Sequence, residues 1–121
     1  MKLLAVDDEP LVLRLLAATL DGLGYGNADF AKSGDEALRC LEQARTPYSC
    51  ILLDIRMPGM SGIELCQNIR RLPQYRDTPI IMLTALAEKE FIDESFAAGA
   101  TDYMNKPIDA TELGAACAWP A

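Results

Sequence analysis

The sequence predicts an α/β fold, a doubly wound (βα)5 sandwich built on a five-stranded parallel sheet. Three observations carry this expectation. Residues 3–6, 50–53, 80–83 and 101–104 form short runs of strand character, and the second and third are apolar throughout, as strands covered on both faces are. Segments with apolar residues at i, i+3, i+4 and i+7 lie between them. Each of these strands ends at a polar island: Asp7-Asp8, Asp54, Thr84-Ala85 and Lys106-Pro107.

The elements follow in order. Pro10 suits the first turn of a helix, and Leu13, Leu16, Ala17 and Leu20 form its inner face before Gly22 and Gly24 end it. A weak second strand is expected over 27–31. Ser33-Gly34-Asp35-Glu36 is a capping box that opens a helix with Ala37, Cys40, Leu41 and Ala44 facing inward. Ser61-Gly62-Ile63-Glu64 opens another, with Leu65, Cys66, Ile69 and Leu72 on its buried side. Pro73 and Pro79 bracket a loop into the fourth strand. A fourth helix is expected over 87–98, closed by Gly99. A last helix has Asp109 as its cap and Glu112 at its third position, and Trp119-Pro120 stops it after about ten residues.

Length and composition narrow the function. At 121 residues, half of them hydrophobic, the chain is expected to be one globular domain spanning 1–121. Its net charge of −7 argues against nucleic acid or an anionic membrane as a direct partner. The absence of histidine excludes a Ser-His or Cys-His pair within this chain. Cys40, Cys50, Cys66 and Cys117 lack C-x-x-C spacing, which points to small hydrophobes in a reducing compartment rather than to zinc ligands. No apolar stretch approaches the ~20 residues of a membrane span. Asp7-Asp8-Glu9-Pro10 interrupts the first apolar run too early for a signal peptide. A cytoplasmic protein is expected.

In an open parallel sheet, ligands bind beyond the carboxyl ends of the strands. Parallel neighbours would therefore bring Asp7, Asp8, Asp54, Thr84 and Lys106 to one crevice. Clustered carboxylates suit a hard divalent cation such as Mg²⁺, which prefers oxygen ligands and keeps several waters. A carboxylate such as Asp54 can attack phosphorus and hold an acyl phosphate, with a metal and a lysine neutralising the phosphoryl oxygens. Pro58 and Gly59 set a tight turn that leaves the Arg56 carbonyl to face the cation. The Thr84 hydroxyl is placed to donate to an anion on Asp54, and small Ala85 lets that anion approach.

With these residues assembled, the chain resembles the receiver domain of bacterial two-component response regulators. Asp7-Asp8, Asp54 with Met57-Pro58-Gly59, Thr84-Ala85, Ala98-Gly99-Ala100 with Asp102-Tyr103, and Lys106-Pro107 match in order and spacing over nearly the whole length. The resemblance implies a flavodoxin-like strand order 2-1-3-4-5. It implies Asp54 as phosphoacceptor, and a Mg²⁺ site (Mn²⁺ also fits) of Asp7 or Asp8 or both with Asp54 and the Arg56 carbonyl. Thr84 and Lys106 would contact the phosphoryl group, and Tyr103 matches the aromatic that moves with the threonine on activation. The implied partners are a histidine kinase or histidine phosphotransfer protein, and an output domain or downstream protein. Such a chain is a signalling module rather than an enzyme, its own chemistry confined to Mg-dependent self-phosphorylation from small donors and self-dephosphorylation.

Two features depart from the family's pattern. Ile108 stands where an aromatic is frequent after Lys-Pro, and the last helix is short and alanine-rich, with Leu113 its only large aliphatic. The chain is therefore expected to be a stand-alone module or a piece of a longer regulator or hybrid kinase, switching without strong self-association. Rival readings are weaker. A haloacid-dehalogenase-type phosphatase needs a second acid two residues after its nucleophile, where this chain has Arg56. A flavodoxin would have its flavin phosphate repelled by Asp7-Asp8-Glu9. A pseudo-receiver acting only as an interaction module commonly lacks an acid, the threonine or the lysine, all present here.

Overall fold

Both sides of the sheet are covered, which is why its strands read as unbroken apolar runs. The computed structural model describes residues 2–85, 89–106 and 111–112. Its strands are β1 Leu3–Val6, β2 Asp29–Ala31, β3 Cys50–Asp54, β4 Ile80–Thr84 and β5 Asp102–Asn105, all parallel, in the order β2-β1-β3-β4-β5. The helices are α1 Pro10–Gly22, α2 Gly34–Gln43, α3 Gly62–Arg70 and α4 Lys89–Ala97. Strand residues alternate between two layers. Leu4, Val6, Ile51, Leu53, Ile80 and Met82 pack with Ala37, Leu41, Leu65, Cys66 and Ile69 of α2 and α3. Leu3, Ala5, Cys50, Leu52, Ile81, Leu83 and Met104 pack with Leu13, Leu16 and Leu20 of α1.

Local signals place the helix ends. Ser33 and Ser61 accept from the backbone N–H of Glu36 and Glu64 at 3.1 and 3.2 Å, as their capping boxes require. Gly24, at φ +90°, closes α1: its N–H reaches the Asp21 carbonyl while that of Tyr25 reaches Leu20. Gly99 closes α4 in the same way, through bonds to Phe96 and from Ala100 to Ser95. Cys50 and Cys66 are buried in the core layers and Cys40 is half-buried.

The observed elements differ from expectation in four places. The second strand is confined to Asp29–Ala31, because Ala28 N–H turns back to the Tyr25 carbonyl. Asp54 and Thr84 are the last residues of their strands rather than the first beyond them, held by pairing with Leu83 and Asn105. The fifth strand begins at Asp102, since Thr101 bends to exchange bonds with both backbone groups of Ile80. The loop after Pro73 contains a 3₁₀ turn, Pro73–Tyr75, that buries the Tyr75 ring beneath Tyr48. Residues 86–88, Pro107, Ile108, Asp109, Leu113, Cys117 and Trp119-Pro120 lie outside the described residues. Among those described, no helix is long and apolar enough to cross a membrane.

At the end of the sheet away from the polar islands, Arg70 staples three segments. Its guanidinium donates to the carbonyls of Tyr75 (2.8 Å), Thr78 (2.6 Å) and Gly99 (2.9 and 2.7 Å). Charge-assisted bonds to several acceptors, with burial of the stem, make this worth more than a surface arginine. Arg70→Met should therefore lower unfolding free energy in urea by about 2 kcal/mol, and Arg70→Lys should recover only part of it, since an ammonium cannot span the fork.

Candidate functional site

Register brings the polar islands together. Val6 pairs with Leu53 and Asp54 with Leu83, so Asp7, one step beyond β1, comes beside Asp54. Asp7 N–H continues the ladder to the Ala31 carbonyl, and Lys106 N–H continues it to that of Thr84 at 2.8 Å. Alternation aims Asp54 to the α1 side of the sheet, and the Lys106 ammonium reaches it across β4.

Lys106 Nζ lies 2.7 Å from Asp7 Oδ2 and 3.2 Å from Asp54 Oδ1. Asp7 is fully buried, and its other oxygen accepts from Glu9 N–H at 2.9 Å, which holds the chain in place for α1 to start. Asp8 is half-buried. One carboxylate oxygen each from Asp7, Asp8 and Asp54 lie within 4.8 Å of one another. Around an octahedral Mg²⁺, neighbouring oxygens are separated by roughly 2.9 Å and opposite ones by roughly 4.2 Å. The three acids therefore need only a small inward shift to share one ion, and their hard oxygens are the right donors.

Electrostatics at this edge are strained without a cation. Burial, with the Asp7 charge second and partly offset by Lys106, raises the Asp54 carboxyl from 3.8 to about 6. Burial also works against the Lys106 ammonium, but its hydrogen bond to Asp7 and the charges of Asp54 and Asp7 outweigh that and hold its pKa above the ordinary range.

Thr84 is buried at the end of β4. Alternation puts it on the α3 and α4 side, together with Tyr103, whose β5 position pairs with Met82, two pairs before Thr84–Asn105 and so on the same face. The half-buried Tyr103 ring meets Phe96 of α4 edge-on, with centroids 6.2 Å apart. Arg56 is exposed in the turn after Asp54, and its guanidinium lies 5.1 Å from the centre of the Phe91 ring on α4. All seven residues singled out in the sequence thus lie at or beside the carboxyl edge of the sheet.

Two neighbours escaped the sequence reading. Gly62 at the start of α3 lies against the backbone of Asp54, and a Cβ there would overlap the Asp54 carbonyl oxygen. Its only sequence signal was its place behind the cap Ser61. Phe91 carried no signal beyond helical period, because its contact with Arg56 spans two elements.

Residues 3–118 match the response regulator receiver domain family, and the chain belongs to it. The chain is 44% identical over 112 residues to the transcriptional regulatory protein ResD of Bacillus subtilis, spanning 93% of this chain and 44% of ResD. It is 38% identical to the signal transduction histidine-protein kinase BarA of Shigella flexneri, again over 93% of this chain but only 12% of BarA. Among solved structures, the receiver domain of the sensor histidine kinase PA1611 from Pseudomonas aeruginosa superposes with a TM-score of 0.86 at 34% identity, covering 96% of this chain and 93% of that one. That structure carries a magnesium ion in its active-site cleft.

The Asp54 shift has a definite sign. An unfolded chain releases this proton near pH 3.8, whereas the folded chain holds it up to about pH 6. The folded state thus binds more protons in that window, and the associated stability, complete below pH 3.8, is lost as pH rises through 6. In the absence of metal, Asp54→Asn should stabilise the fold at pH 8 by on the order of 2 kcal/mol, with the gain vanishing toward pH 4. Urea unfolding in EDTA across that range checks it; a pH-independent difference contradicts it.

Proposed function

We propose that this chain is a phosphorylatable receiver module that accepts a phosphoryl group on Asp54 and switches the face formed by α4 and β5. The observation that carries the proposal is the buried Asp54 carboxylate, held by the Lys106 ammonium beside two further acids. In the transfer, an Asp54 carboxylate oxygen attacks phosphorus, and the bond from phosphorus to a donor histidine nitrogen, or to the oxygen of a small acyl phosphate, breaks. Asp7, Asp8, Asp54 and the Arg56 carbonyl would hold Mg²⁺ (or Mn²⁺), which screens the charge on the transferring oxygens. Lys106 moves from bridging two carboxylates to pairing with the phosphoryl group, and Thr84 donates its hydroxyl to a phosphoryl oxygen. The chain's own chemistry is limited to gaining and losing that group.

The donor is a histidine kinase or histidine phosphotransfer protein. It must approach the crevice, and Leu11 and Leu15, exposed by 65% and 58% one turn apart at the start of α1, offer an apolar landing beside it. The whole protein is either this module alone or a longer regulator or hybrid kinase that couples it to an output, working in the cytoplasm. Acidity makes direct contact with nucleic acid unfavourable for this module.

Four outcomes test the reading. Acetyl phosphate with Mg²⁺ should add one hydroxylamine-labile phosphate, seen by mass spectrometry; labelling that persists in Asp54→Asn removes Asp54 from the role. Mg²⁺ at a hundredfold excess over Kd should stabilise the fold by ~2.7 kcal/mol in thermal melts, and Asp8→Ala should abolish that gain. Beryllofluoride with Mg²⁺ should shift the amide signals of residues 84–88 and Tyr103 together, while Thr84→Ala uncouples the two without preventing phosphorylation. Sedimentation should show no tight dimer on activation; a tight one refutes the expectation that this chain switches without self-association.

A further inference from the structure

The turn that follows Asp54 is held at its two ends. Ile55 N–H donates to the Leu83 carbonyl at 3.1 Å, Gly62 N–H donates to the Ile55 carbonyl at 2.9 Å, and the Met57 side chain is buried. Between these anchors Arg56, Pro58 and Gly59 are exposed. An exposed arginine ordinarily spreads into solvent. Here its guanidinium sits 5.1 Å from the Phe91 ring centre, within the range of a cation–π contact, and both side chains line a groove of about 620 Å³ between the turn and α4. Phe91 is half-buried and packs on the core layer beneath α3, so it is a fixed point for the strap to rest on.

We propose that Arg56 is a positioning residue: its side chain, laid on Phe91, straps the cation-binding turn to α4 and pre-orders that turn for a divalent ion. The inference rests on the metal site assigned above, and it reaches further by giving that site a direct mechanical link to α4. Through the strap, closing the turn on a cation pulls on α4 from the Asp54 side. This link is separate from the one running through Thr84 and Tyr103 on the opposite flank of α4.

Electrostatics and the strap predict opposite signs. Arg56→Ala leaves the backbone carbonyl in place and removes a positive charge from the neighbourhood of a cation, so charge alone would tighten Mg²⁺ binding. Loss of the strap leaves the turn to be ordered at the moment of binding, which weakens it. A contact of this kind corresponds to roughly two- to fivefold in affinity.

The experiment is a Mg²⁺ titration of the full chain followed by amide chemical shifts, for the unmodified protein, Arg56→Ala, Phe91→Leu and the double variant. Each single variant should raise the Mg²⁺ Kd by roughly two- to fivefold, and the double variant should bind no more weakly than the weaker single. Arg56→Lys and Phe91→Trp, which keep a cation over a ring, should stay near the unmodified Kd. Mg²⁺-induced shifts should extend into residues 89–97 of α4 in the unmodified chain and stop at the turn in both single variants. Tighter binding by Arg56→Ala, an unchanged Kd in Phe91→Leu, or effects that simply add overturn the strap. If the unmodified chain shows no saturable Mg²⁺ response, the metal site itself falls and the strap with it. A metal-free melt of each variant, unchanged in midpoint for Arg56→Ala, separates a loosened turn from a damaged fold.

Discussion

The charge balance at the carboxyl edge of the sheet is the constraint on which the rest depends. Three acids are drawn into one corner by the register of β1 and β3, and one of them, Asp7, has no exposure to water. Such a cluster is costly unless each carboxylate has a partner. The Lys106 ammonium supplies one from β5, two strands away from Asp54, so β5 must run parallel and in register for the site to hold. One ammonium faces three carboxylates, and burial first, with the Asp7 charge second, raises the Asp54 carboxyl to about 6 despite Lys106.

Sheet geometry then divides the site residues between two faces. Asp54 and Lys106 face the α1 side, whereas Thr84 and Tyr103 face α3 and α4. Asp54 and Thr84 are the last residues of the adjacent strands β3 and β4, at the rim where the two sides meet. Tyr103 and Thr84 lie on one face, two register pairs apart, which is the placement the proposed switch needs. The ring in turn touches Phe96, itself partly exposed on α4.

The two ends of the sheet are tied by different groups. At the amino edge Arg70 ties the end of α3 to the 3₁₀ turn, to the approach to β4 and to the turn before β5. At the carboxyl edge the described ties include the Lys106 bridge to Asp7 and Asp54, the close seat of Gly62 against the Asp54 backbone, and the Arg56 side chain on Phe91.

Much of this was legible from the sequence, for physical reasons. Parallel strands buried on both faces leave unbroken apolar runs, and capping boxes mark helix starts within a residue, so the (βα) order and the positions of Asp7, Asp54, Thr84 and Lys106 at strand ends followed directly. Their convergence followed too, because parallel strands share one carboxyl edge. What the sequence could not carry were contacts made by side chains distant along the chain. Tyr75 looks like a loop residue beside Pro73 until Tyr48 closes over it. Arg70 looks like a solvated helix end until three carbonyls from other segments surround it. Gly62 looks like a cap neighbour until α3 is seated on β3. The Lys106 contact with Asp54 was expected from the sequence, but its second bond to Asp7 and the rest of Arg56 on Phe91 depend on which rotamer fills which gap, and tertiary packing alone decides that.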